Sequence, residues 1–130
     1  MTGKGSHILD SLALWGEVHE DPTDSVYALL FSRRPELETF FIMDTDGGVR
    51  GSMLQQTFEC IMDHVGENQI AAGLVSTSRI LHDGYGVPAG RFDEFFGVVR
   101  DSCRADLAEN WTDAMDVEWE EMLETFKQCL

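Results

Sequence analysis

Leu81-His82-Asp83-Gly84-Tyr85-Gly86-Val87-Pro88 closes an amphipathic helical pattern with one histidine facing inward and a glycine-rich break directly after it. The helix that ends there runs from Ile70 to Asp83, and Pro88 sits where a first-turn proline opens the next one. His82 alone has two uses. A neutral imidazole can be hydrogen-bonded inside a core or can bind a metal equally well, so its neighbours decide.

Outward from this stretch, apolar residues recur at helical spacing and alternation of period two is scarcely seen. The pattern predicts an all-α domain. Downstream of Pro88, a long helix turns Phe92, Phe95, Phe96, Val99, Cys103 and Leu107 inward. Trp111-Thr112 then starts a last helix that buries Met115, Trp119, Met122, Leu123 and Phe126. Upstream, Val49 to Val65 forms the clearest helix, with Leu54, Phe58, Ile61, Met62 and Val65 on one face and Gly66 as its stop. Asp44-Thr45-Asp46-Gly47-Gly48 is a loop by composition. Ile8, Leu9, Leu12 and Trp15 mark a first helix that stops before Asp21-Pro22. Thr23 or Asp24 can cap the second helix, which carries Val26, Leu29, Leu30 and Phe31 and is broken by Arg33-Arg34-Pro35. A short helical turn, Glu36 to Phe41, follows.

The whole reads as one domain over residues 1–130, with about the first six residues disordered. A formal net charge of −15, from 9 Lys+Arg against 24 Asp+Glu, opposes binding to nucleic acid or to an anionic membrane surface, because both need a basic footprint. Solubility and a basic protein partner are the readings left. Cys60, Cys103 and Cys129 are widely spaced, with no CxxC pair and no zinc spacing, which suits reduced thiols in a cytoplasm. Residues 1–7 lack the apolar stretch of a secretory signal, and no window approaches the roughly 20 apolar residues of a membrane span. The expectation is a cytoplasmic protein.

Several segments together resemble one family. Val26-Tyr27-Ala28-Leu29-Leu30-Phe31-Ser32-Arg33-Arg34-Pro35-Glu36-Leu37 ends in Phe40-Phe41. Arg50-Gly51-Ser52-Met53-Leu54 follows, then His82 with Tyr85-Gly86-Val87, then Trp111-Thr112 with Trp119. In this order and spacing, from about Val26 to Phe126, the chain resembles the globins, and among them the single-domain bacterial haemoglobins with a three-over-three helical sandwich of about seven helices. The residues before Val26 match less distinctly.

The resemblance implies one b-type haem, its iron held by His82, whose other ring nitrogen donates to a carbonyl one turn back, near Ser78. Phe41, Leu81, Tyr85, Val87 and Phe92 would line the cofactor. Tyr27, Arg50 and Leu54 would form the distal side, where O2, NO or CO binds. In that frame the Tyr27 hydroxyl donates to bound O2; read by itself, it can equally hydrogen-bond a carbonyl.

Two positions depart from the family. Arg50 stands where histidine or glutamine is usual, and a guanidinium either swings out to a haem propionate or stays in for an anionic ligand. Phe92 stands where some relatives have a tyrosine that polarises the iron ligand, so a weaker proximal push and poorer peroxidase-like chemistry follow. Gly51, costly inside a helix by roughly 1 kcal/mol against alanine, suggests a close helix crossing.

The functional expectation is reversible gas binding by a monomer or homodimer. Nitric-oxide dioxygenation would need a separate reductase, because 130 residues leave no room for flavin and nicotinamide domains. The alternative is a haem-free, globin-shaped sensor or interaction module, towards which Arg50 and the polar run Ser76-Thr77-Ser78 point. His7, His19 and His64 receive no role.

Overall fold

The computed structural model describes residues 5–66, 82 and 89–128, with the side chains of residues 89–92 left aside. The described residues are helical and contain no strand. Five α-helices are α1 (Ser6–Val18), α2 (Thr23–Arg33), α3 (Gly48–Gly66), α4 (Ala89–Leu107) and α5 (Asp113–Lys127), with 3-10 turns over Pro35–Phe41 and Ala108–Asn110. The expected Ile70–Asp83 helix and Pro88 lie outside the described residues, apart from His82, which is helical and half-buried.

α4 is the central element, packed against α1, α2 and α5. Phe95, Phe96, Val99, Cys103 and Leu107 are buried along it as the periodicity predicts, and Val98 joins them. All five expected α5 residues are buried too. Side chains of this size each contribute about 1.5–3 kcal/mol when removed from water, so α4 and α5 supply much of the core. α5 starts where expected, with Thr112 Oγ1 accepting from the Met115 N–H at 3.1 Å.

Polar side chains fix α1 on this pair. The first helical N–H groups lack local partners in any helix, and here those of His7 and Ile8 donate to Glu118 of α5 at 2.9 and 3.2 Å. Buried Ser11 donates to the Ile8 carbonyl (2.6 Å) and accepts from the Trp119 indole (2.9 Å). The Trp15 indole donates to Asp106 at 2.7 Å, and His19 Nδ1 lies 3.2 Å from the same oxygen.

Four sequence expectations need correction. Neither Thr23 nor Asp24 caps α2. Thr23 is its first residue, and Asp21 accepts from the Thr23 N–H (3.1 Å) and hydroxyl (2.6 Å). Met62 is half exposed, whereas Thr57 and Cys60 are buried on α3. Thr57 tolerates burial because its hydroxyl donates to the Met53 carbonyl at 3.0 Å. Leu9 is exposed on α1. Gly51 is not explained by a close crossing, since among the described residues a Cβ there would meet nothing within 4 Å.

Cys60 and Cys103 are buried, and burial pushes the Cys103 thiol up to about 12. No helix among the described residues is long and apolar enough to cross a membrane.

Candidate functional site

α2 carries Tyr27 on the face it turns to the core, between Val26 and Leu30, and all three are buried. The Tyr27 ring meets Phe41 from the 3-10 turn and Phe95 from α4, each with centroids 5.5 Å apart, and Phe31 at 5.9 Å. Phe31 and Phe41 meet each other at 5.6 Å. Edge-to-face and tilted pairs at these separations add to the area they bury. The aromatic wall continues from Phe95 to Phe96 and on to Phe126.

At the open end of this wall the Tyr27 hydroxyl donates to the backbone carbonyl of Arg50 at 3.1 Å, tying α2 to the first turn of α3. Desolvation raises the phenol well above its ordinary value despite the nearby Arg50 charge, so Tyr27 stays protonated.

Arg50 is set by Asp44. The Asp44 carboxylate, with a side chain only 3% exposed, accepts from the N–H groups of Val49 and Arg50 and from Arg50 Nε, each at 3.0 Å. Arg50 Nη2 also donates to the Asp44 carbonyl at 3.2 Å. One carboxylate thus satisfies two N–H groups at the start of α3 and neutralises the guanidinium. The bond from the Val49 N–H, aided by those from Arg50, holds the Asp44 carboxyl below the usual carboxylate range although burial pushes it up. Gly47, at φ 75°, gives the loop the left-handed turn that carries the chain from Asp46 into α3.

Tyr27, Phe41 and Arg50, predicted from three separate segments, therefore come together, and Leu54 is buried one turn further along α3. The Tyr27 hydroxyl takes the carbonyl acceptor, one of the two uses that the sequence leaves open, and the Arg50 guanidinium pairs with Asp44. Ser78, Leu81, Tyr85, Val87 and the side chain of Phe92 lie outside the described residues.

Asp44 escaped the sequence reading. Its signal was present, an aspartate a few residues before a helical pattern and followed by two glycines, but composition alone assigns it to a loop. His64, left without a role, stacks edge-on against Phe126 at 5.8 Å.

A cleft of about 830 Å³ opens among the end of α2, α4 and α5, and no predicted site residue lines it. Four of the chain's nine Lys and Arg residues stand there, namely Arg33, Arg34, Arg100 and Lys127. Arg34 clasps Glu94 through two bonds of 2.9 and 3.0 Å, Arg33 reaches Asp101 at 2.8 Å, and Arg100 bonds Asp101 and Glu120. Burial would raise the Asp101 carboxyl, but hydrogen bonds from Arg33 and Arg100 bring it below its ordinary value. The Arg33 and Arg34 pairs fasten the end of α2 to α4 and the Arg100–Glu120 pair fastens α4 to α5, so the cleft is an ion-paired seam between helices.

No group of three or more metal-binding side chains among the described residues could hold a bare ion. The donor chemistry fits b-type haem: one helical, half-buried imidazole and a phenol set in an aromatic and aliphatic wall. No family model, no curated protein and no solved structure matches this chain.

Proposed function

We propose that the chain is a haem-binding globin with a three-over-three helical arrangement, in which His82 is the iron ligand and diatomic gases bind on the Tyr27 side. One observation carries the reading: Tyr27 of α2, Phe41 of the 3-10 turn and the first turn of α3 meet, joined by the Tyr27–Phe41 ring contact and the Tyr27–Arg50 hydrogen bond. The family frame groups these residues in advance.

Haem, when bound, supplies the ferrous iron at which O2, NO or CO is held. The chain's own residues set the surroundings. His82 would hold the iron through an imidazole nitrogen. Leu54, Phe41 and the Tyr27 ring exclude water. Asp44 keeps the Arg50 charge out of that apolar space, and the protonated Tyr27 hydroxyl stays on the Arg50 carbonyl until something better draws it away.

A haem-free regulatory module is the second reading. It is favoured by that same hydroxyl and that same guanidinium, both of which already have protein partners. Hemin titration of the purified chain separates the two. The haem reading expects the absorbance change to saturate at one equivalent per chain; a change that never saturates, or that matches free hemin throughout, leaves the module reading.

A further inference from the structure

The tip between the 3-10 turn and α3 exposes large apolar side chains. Phe40, Ile42, Met43 and Val49 are 46%, 70%, 91% and 54% exposed. Single exposed apolar residues are ordinary, but several held together mark a contact surface. Asp44 holds these together. Its N–H donates to the Phe41 carbonyl at 3.0 Å, and its carboxylate receives the Val49 N–H at 3.0 Å. The backbone on either side of the buried aspartate, at Phe41 and at Val49, is thereby drawn to one residue.

Charge selects the occupant. Glu36, Glu38 and Asp46 are exposed around the tip, and Arg50, the cation of this stretch, is turned onto Asp44. An anionic membrane, a nucleic acid or a second copy of a chain with net charge −15 would bring like charge to this rim. A helix with lysine or arginine flanking an apolar stripe matches the rim and the centre together.

We propose that the tip over residues 40–49 docks a cationic amphipathic helix of a partner protein. Met43, unbranched and polarisable, adapts to the apolar stripe, while the acidic rim speeds encounter and fixes orientation. The proposal stands whether or not the chain holds haem.

The probe is a fluorescein-labelled synthetic helix of leucine and lysine, followed by anisotropy. Replacing Ile42 and Met43 together with serine is expected to weaken binding by about tenfold or more, because central apolar contacts dominate such interfaces. A control pair, Met62→Ser with Val117→Ser, removes exposed apolar groups from α3 and α5 and should leave binding unchanged. A leucine and glutamate peptide of the same pattern should not bind. The proposal is overturned by failure of the leucine and lysine helix to bind, by equal losses in both variant pairs, or by equal binding of the acidic peptide. It is also overturned if sedimentation shows a dimer that the Ile42/Met43 pair dissolves, which assigns the tip to a second copy.

Discussion

Replacing Tyr27 with phenylalanine removes one oxygen and leaves the ring where it is. The side chain is 2% exposed, and its contacts with Phe31, Phe41 and Phe95 are made by the ring, so no cavity opens. What disappears is the 3.1 Å donation to the Arg50 carbonyl. A neutral hydrogen bond contributes about 0.5–1.5 kcal/mol net. The carbonyl belongs to a helix whose ladder supplies it a second partner, so the loss leaves no orphaned acceptor and the cost falls towards about 1 kcal/mol rather than the larger penalty of a buried unmade bond. For a chain of 130 residues that is a fall of about 3–5 °C in Tm. Thermal and urea unfolding of the ligand-free protein, followed by circular dichroism, give the value. A variant as stable as the wild type would refute the claim that this bond ties α2 to α3, and would return the hydroxyl to ligand duty alone.

Gly5 sits at φ 89° with a Cβ position 2.7 Å from Val65 Cγ2. Gly5→Ala should therefore lower stability by about 1–3 kcal/mol, from backbone strain and overpacking, as read by urea unfolding. Gly51→Ala should do the opposite and raise stability by up to about 1 kcal/mol, since a Cβ there meets nothing within 4 Å among the described residues; a loss would restore the close crossing. Asp44→Asn tests the clamp through pH. The Asp44 carboxyl is lowered from its ordinary value of 3.8 in the folded chain. Its contribution is thus fully present above that value and is lost as pH falls through the lowered one. Between neutral pH and pH 3 the wild type should lose more Tm than the variant, and parallel curves would show that the carboxylate is not held low.

The helical frame was legible wherever burial alone dictates residue type. Met115, Trp119, Met122, Leu123 and Phe126 recur at helical spacing on α5, and every one is buried. At the margin of an apolar stripe the pattern fails. Met62 and Thr57 exchange the positions that hydropathy assigns them, because Thr57 meets its own hydrogen-bonding need one turn back. Capping was misassigned at α2, since the carboxylate that meets Thr23 comes from Asp21, just before Pro22. Tyr27, Phe41 and Arg50 were legible as site candidates through family resemblance, yet their partners were not. The Asp44–Arg50 pairing depends on where a loop folds back onto a helix, which no periodicity encodes.

The absorption spectrum of the wild type and of His82→Ala, both purified from a haem-sufficient host, tests the central claim most directly. The account predicts a Soret band near one haem per chain in the wild type and loss of stable haem in the variant. A wild type without the band, or a variant with full haem content, would contradict it.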